Sequence, residues 1–246
     1  DSPPRARTLR DIEVHDVYAA VRAENDWTAR EVARFPDRLL GFCSFNPLKE
    51  DVLQELDRCA ENRTFKGLKL HFAASAVDLK NKHHVERVRR IFEAANAHRL
   101  AIIVHVRGDR SYGREHAEIF LTQLLPAAPD IPVQIAHLWG GDGFSEGALT
   151  ALIVYADAVS AQHRATTNLY FDVTQLALIL RGRKEPLQRM ATLIRQIGVG
   201  RILYGSDGPI FGNVQPSEAW GAFRREMPLT GEEFTTIANN IAPYAR

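Results

Sequence analysis

The sequence predicts an α/β fold in which helices cover both faces of a parallel sheet. From Gly41 onward, short apolar segments alternate with longer segments of helical periodicity. Alternating strands and helices are typical of parallel sheets, since each parallel connection needs a crossover helix. No internal repeat, low-complexity run or Gly/Ser linker divides the chain, so we expect residues 1–246 to form one domain.

Six apolar segments have the length and composition of strands. They are Gly41–Asn46, Gly67–Phe72, Ala101–Val106, Val133–Leu138, Leu169–Thr174 and Ile202–Asp207. Before them, residues 1–16 are interpreted as a loop, or as a remnant of an N-terminal part, followed by a helix over Val17–Ala33. Helical periodicity fills the gaps between strands, and a capping box of Thr230 with Glu233 begins the last helix.

Side-chain alternation in the second strand favours a (β/α)8 barrel. Leu68 and Leu70 point to one side of the strand, and Lys69 and His71 point to the other. An apolar face toward the helices and a polar face toward a lumen fits such a barrel. A closed barrel needs eight strands, so we expect two more strands before Asp1. The alternative is an open doubly wound sheet, in which ligands bind where the strand order reverses.

Composition excludes several classes of protein. Thirty-one basic and thirty acidic residues give a net charge of +1, which offers no large field of one sign for nucleic acid or membrane binding. No apolar run approaches the ~20 residues of a membrane span. Two cysteines make a disulfide scaffold unexpected. The polar N-terminus does not resemble a signal peptide and predicts a cytoplasmic location, while the absence of an initiator Met leaves an exported form open.

Three of the predicted strands deliver a polar group to their C-terminal ends, namely His105, His137 and Asp207. In a (β/α)8 barrel these ends form the active-site face. Two histidines and one aspartate that meet there can hold a divalent metal ion and move a proton. Asp207 is the strongest candidate, because a carboxylate after an apolar strand is costly to bury unless it is paired or metal-bound.

Further residues near these strand ends are candidates for substrate contact. Arg107 lies two residues beyond His105 on the same face and can bind a substrate carboxylate through two parallel hydrogen bonds. His71 is placed to line the pocket, and Trp139 follows His137 in a segment that suits an active-site loop. Asp172 can orient a neighbouring group, with a purely structural role as the alternative.

Six short motifs occur in the order seen in one family. They are FPDRLLGF from residue 35, KGLKLH from 66, IVH from 103, IAHLWGG from 135, LYFDVT from 169 and ILYGSDGP from 202. From about residue 30 to its end, the chain therefore resembles the amidohydrolase-related, metal-dependent TIM-barrel hydrolases, the relatives of aminocarboxymuconate semialdehyde decarboxylase. The resemblance assigns the six strands as barrel strands three to eight.

The resemblance also implies roles for the strand-end residues. His105 would be a metal ligand, Asp207 would bind the metal and accept a proton from the attacking water, and His137 would act as acid/base or oxyanion stabiliser. The family's other two ligands form a His-x-His pair at the end of strand one. The nearest candidate here is Glu13-Val14-His15, and we prefer a pair located before Asp1. Lys69 would be a carboxylated metal ligand only in the binuclear branch; otherwise it pairs with a lumen carboxylate.

The expected function is therefore that of a metal-dependent hydrolase. One divalent metal ion, with zinc as the favoured identity, would activate water against a small ester, lactone or amide. The alternative is non-oxidative decarboxylation of a small carboxylic acid in the same site. A second alternative is a metal-free barrel with a binding role. The partner would be a small-molecule substrate, and a homodimer is a further expectation.

Overall fold

The computed structural model describes residues 17–106, 112–140, 145–174, 180–207 and 215–246, with Val17, Trp139 and Gly140 described by their backbone alone. Over these residues, six parallel strands form one sheet in the order β1-β2-β3-β4-β5-β6. The strands are β1 (Gly41–Ser44), β2 (Phe65–His71), β3 (Ala101–His105), β4 (Val133–Ile135), β5 (Leu169–Val173) and β6 (Ile202–Tyr204).

The order of the strands identifies the sheet as part of a barrel. Each strand pairs in parallel with the next strand in the chain, so the sheet advances in one direction only. A doubly wound sheet would reverse its order at a switch point, and no reversal occurs among the described strands. The fold is thus of the (β/α)8 TIM-barrel type, as predicted. Within the described ranges, β6 and β1 form the two ends of the sheet and do not pair with each other.

Helices alternate with the strands as the periodicity predicted. They are α1 (Val17–Ala33), α2 (Val52–Glu61), α3 (Lys82–Ala97), α4 (Arg114–Ile119), α5 (Glu146–Ser160), α6 (Lys184–Ile197), α7 (Pro216–Glu226) and α8 (Gly231–Asn239). The predicted bounds of α1 and the capping box of Thr230 with Glu233 are both confirmed. In such a cap, a side-chain oxygen accepts a hydrogen bond from one of the free N–H groups in the first turn of the helix. The cap therefore fixes the residue at which the helix begins. None of the described helices has the length and apolar character needed to cross a membrane.

The two faces of β2 differ as the alternation predicted. Leu68 and Leu70 are fully buried in the apolar core, while Lys69 and His71 lie partly buried on the opposite face. The core therefore lies between the sheet and the helices, and the polar face of the strands is directed to the lumen. On the core side, a disulfide between Cys43 of β1 and Cys59 of α2 links a strand to its helix, which the low cysteine count had not led us to expect.

All six strands end before their predicted last residue, and β4 and β6 do so by the most, three residues each. Regular pairing of β4 stops at Ile135 and that of β6 at Tyr204, so His137 and Asp207 lie beyond the strands instead of closing them. The physical reason is the backbone, because His137 has φ 60° and Asp207 has φ 50°. These left-handed conformations turn the chain out of the extended geometry that a strand requires.

Candidate active site

Histidine side chains at or just beyond the ends of three neighbouring strands, β2, β3 and β4, lie together at the C-terminal end of the sheet. His71 and His105 occupy paired register positions at the ends of β2 and β3, and their rings stack with centroids 4.0 Å apart. The ring of His137 meets that of His105 edge to face, with centroids 5.2 Å apart. The Nδ1 atom of His71 accepts a hydrogen bond from the backbone N–H of Ala74. The structure thus brings the predicted histidines into one row.

His137 is held on three sides. Its backbone N–H donates to Oδ1 of Asp172 over 2.9 Å, and its Nδ1 lies 2.7 Å from the hydroxyl oxygen of Thr174. The same Nδ1 is 3.6 Å from Oδ1 of Asp172. With Nδ1 occupied in this way, the imidazole presents Nε2 to Oδ2 of Asp207 at 3.9 Å. That distance exceeds a hydrogen bond, so the two side chains do not bond directly, and one group in the cavity can contact both.

The backbone is strained where these two residues sit. His137, Leu138 and Asp207 all have positive φ without being glycine. Such conformations cost about 1–3 kcal/mol each and persist where the surrounding structure enforces them. At His137, the hydrogen bond from its N–H to the buried Asp172 carboxylate supplies part of that enforcement. Together with the approach of their side chains, the strain at His137 and Asp207 points to this end of the sheet as the candidate site.

A cavity of about 350 Å³ opens beside the pair. Its walls include His137, Asp172, Asp207 and the side chain of Lys69, which comes from the polar face of β2. Burial lowers the pKa of Lys69 below the usual lysine range, while the charges of Asp172 and Asp207 act in the opposite direction. The cavity therefore offers a cation and two carboxylates to a small molecule, in addition to an imidazole.

Gln134 and Tyr244 belong to the same site and were not anticipated. Gln134 Nε2 donates to Oδ2 of Asp172 over 2.7 Å, and the Tyr244 hydroxyl donates to Gln134 Oε1 over 2.6 Å. A glutamine inside the apolar segment of β4 is a detectable sign of a buried polar contact, and its register would have pointed it into the lumen. The contact of Thr174 with His137 was not anticipated either. Nothing in the sequence around Tyr244 indicates its position.

Other predicted residues lie outside the described residues or do not line the cavity. Arg107 and the Glu13-Val14-His15 segment lie outside the described residues, and so does the side chain of Trp139. His71 stacks on His105 but is not among the residues that line the 350 Å³ cavity. The roles assigned to these residues therefore stay predictions.

The donors at this site suit a divalent metal ion in kind. Imidazole nitrogens and a carboxylate oxygen are the usual ligands of zinc and related ions. His105, His137 and Asp207 are not drawn together so closely that all three donor atoms lie within 4.8 Å of one another. In the described part of the chain, the set that meets this distance is Cys43, Glu55 and Cys59. Its two sulfurs are bonded to each other and its carboxylate is bound by Arg58, so the strand ends are the better candidate.

Comparison with known protein families gives a match over most of the chain. The sequence model of the amidohydrolase family, described as Amidohydrolase, matches residues 1–239. No curated protein sequence matches the chain significantly.

Solved structures with the same fold are distant in sequence. A Staphylococcus aureus protein assigned to the amidohydrolases has a TM-score of 0.60 at 20% identity, covering 92% of this chain and 80% of that one. A 2,6-dihydroxybenzoate decarboxylase, solved with 2,6-dihydroxybenzoate, has a TM-score of 0.58 at 17% identity over 88% and 73% of the two chains. A dihydroxybenzoic acid decarboxylase from Polaromonas sp. JS666, with manganese and 2-nitroresorcinol bound, has a TM-score of 0.57 at 20% identity over 89% and 72%.

Proposed function

Because the chain belongs to the amidohydrolase family, a family of metal-dependent enzymes, we propose that it catalyses non-oxidative decarboxylation of a small organic acid. The observation that carries this proposal is the pair of His137 and Asp207, which face each other across 3.9 Å at the cavity. Lys69 in the cavity wall supports an anionic substrate, because a partly buried ammonium attracts a carboxylate or phenolate. The decarboxylases among the structural relatives agree with this proposal.

We assign the metal ion to the polar side chains at the C-terminal ends of the strands. His105 and Asp207 are the proposed ligands, together with donors from outside the described residues. A bound divalent ion would supply positive charge that draws electrons from a substrate oxygen. Zinc was favoured from the sequence, and the manganese in the Polaromonas relative makes manganese an equal candidate.

The residues of the chain itself would handle the proton. In decarboxylation, the bond between the carboxyl carbon and its neighbour breaks, CO2 leaves, and the carbon left behind takes a proton. The pair of His137 and Asp207 would deliver that proton, since both side chains border the cavity. Thr174 and Asp172 would keep the imidazole oriented throughout. His71, Arg107 and Trp139 remain proposed contacts for the substrate.

Hydrolysis of an ester, lactone or amide is the second candidate. The approach of His137 Nε2 to Asp207 Oδ2 favours it, since a water molecule in the cavity that contacts both atoms could lose a proton to Asp207. His137 would then stabilise the negative oxygen that develops on the substrate. The two reactions differ in their products, because only decarboxylation releases CO2.

Metal content and product analysis test the proposal. Purified protein supplied with zinc or manganese should hold about one ion per chain, and Asp207→Asn should lower that content and reduce turnover by about 10³-fold or more. The matched control is Asp157→Asn on the exposed side of α5, which should change neither. A panel of hydroxybenzoates assayed for CO2, and of esters and lactones assayed for acid, separates the two reactions. Wild-type protein that binds neither metal would contradict both.

A further inference from the structure

The C-terminal segment, residues 240–246, crosses between the two end strands of the sheet. The side-chain amide of Asn240 donates to the backbone oxygens of Val199 and Ile202, which ties the start of the segment to β6. Further along, the ring of Tyr244 meets the ring of Phe42 in β1 edge to face, with centroids 5.0 Å apart. The segment therefore links the ends of the sheet that do not pair directly in the described residues.

The ring of Phe42 lies at the bottom of the lumen at this point. Its register partner in β2 is Gly67, and a Cβ added there would lie 2.5 Å from Phe42 Cε1 and 2.3 Å from the backbone oxygen of Ala101. The phenyl ring can occupy this position only because residue 67 has no side chain. The ring of Tyr244 packs against the ring of Phe42, and its hydroxyl group extends into the lumen to Gln134.

From Tyr244, a directed chain of hydrogen bonds leads to His137. The tyrosine hydroxyl donates a hydrogen bond to Gln134 Oε1 over 2.6 Å. Gln134 Nε2 in turn donates to Asp172 Oδ2 over 2.7 Å. At the other oxygen, Asp172 Oδ1 accepts a hydrogen bond from the backbone N–H of His137 over 2.9 Å. An amide has its acceptor at one end and its donors at the other. Because the hydroxyl donates to the oxygen of Gln134, the amide nitrogen must face the Asp172 carboxylate.

The hydroxyl group is a permanent donor. Burial, with a further contribution from the charge of Asp172, raises the pKa of Tyr244 to about 12. It therefore keeps its proton at all working pH values. Without this donor, the oxygen of Gln134 would lose the partner that holds it, and the side chain could move its Nε2 away from Asp172, which would then lose one of the two donors that fix its position.

We propose that Tyr244 is a positioning residue, which orients Gln134 so that Asp172 holds the strained backbone of His137 in place. The functional importance of this role rests on the proposed function, but the positioning itself does not. Tyr244 touches no reacting atom and acts only through Gln134 and Asp172. The C-terminal segment thereby becomes part of the site, in addition to closing the bottom of the lumen.

The test removes the hydroxyl and keeps the ring. In Tyr244→Phe, we expect hydrogen exchange at the backbone amide of His137, measured by NMR on the full chain, to become about 5-fold faster, since a typical hydrogen bond is weakened. The control is Tyr18→Phe, which removes a hydroxyl that donates to the backbone of Asp51 far from the site. That variant should leave the His137 amide unchanged.

A second variant guards against a folding defect. Gln134→Met removes the amide while keeping the length of the side chain, and the His137 amide should then exchange at least as fast as in Tyr244→Phe. Unchanged exchange at His137 in folded Tyr244→Phe or Gln134→Met would overturn the proposal, and so would an equal change in Tyr18→Phe. If both variants show faster exchange at His137 while the wild-type protein binds no metal and turns over no substrate, the positioning stands and the proposed function fails.

Discussion

Glu55 and Asp172 are both buried carboxylates, but their partners differ in charge. Glu55 of α2 is fully buried and receives two hydrogen bonds from the guanidinium of Arg58, with Arg22 at 3.5 Å. Asp172 of β5 is bound by the neutral amide of Gln134 and the backbone N–H of His137. A carboxylate neutralised by two arginines serves the fold, whereas one held by neutral donors beside a cavity keeps its negative potential for the imidazole next to it.

The surroundings of Glu55 explain its structural role. Asn25 of α1 donates to Glu55 and also exchanges two hydrogen bonds with the backbone of Ser44 at the end strand β1. Burial alone would raise the pKa of Glu55, but the hydrogen bonds from Arg58 and Asn25 outweigh it and hold this pKa below its usual value. The cluster fastens α1 and α2 to the edge of the sheet.

The largest effect on stability is expected from Glu55→Gln. It should lower the free energy of unfolding by about 2–3 kcal/mol, less than for a fully buried pair because Arg58 is partly exposed and keeps Asp26. Urea denaturation measures this loss. Turnover per folded molecule should stay unchanged, since the cluster lies away from the cavity. Glu93→Gln, which breaks an exposed pair with Arg89, is the control and should cost about 0–1 kcal/mol.

For Asp172→Asn, we expect a small loss of stability and a clear loss of turnover. The new amide group must place its NH2 against the amide donors of Gln134 or against the N–H of His137, so one hydrogen bond is lost at a stability cost of about 1 kcal/mol. Turnover should fall about 10-fold, equivalent to about 1.4 kcal/mol, because the imidazole loses its support. Unfolding measurements give the loss of stability, and turnover measurements give the loss of activity. A variant that loses stability and keeps full turnover would assign Asp172 the same purely structural role as Glu55.

The smallest effect concerns pH. Because the folded pKa of Glu55 is lowered from 4.5, the stabilisation linked to its ionisation is fully present above pH 4.5. It is lost as the pH falls further, through the lower pKa of the folded state. The difference in unfolding free energy between wild type and Glu55→Gln should therefore shrink below pH 4.5 and stay level between pH 6 and 8, in urea titrations at each pH. A difference that grows on acidification would contradict the lowered pKa.

Local patterns in the sequence were sufficient to predict the elements and their faces. The alternation of Lys69 and His71 with Leu68 and Leu70 identified the lumen side of β2 correctly, because side chains of a strand alternate strictly. The apolar segments that lead to His137 and Asp207 likewise predicted where these residues meet. Neither pattern depends on distant parts of the chain.

The rest depends on contacts that a local pattern does not encode. The turn of the backbone at His137 is carried by a non-glycine residue, so no glycine marked it, and a strand was extended through it. The disulfide of Cys43 with Cys59 follows from how α2 packs on β1, which the count of cysteines does not reveal. Tyr244 reaches Gln134 from 110 residues away, and no periodicity connects the two.

The sequential order of the strands has a consequence for folding kinetics. Each strand pairs with the next in the chain, so the sheet can grow stepwise from a local βαβ unit with modest losses of chain entropy. The contact between Tyr244 and Gln134 must instead wait until both ends of the growing sheet exist. We therefore expect the contact of Tyr244 with Gln134 to form last during folding, and the C-terminal segment to detach first when the native state opens locally.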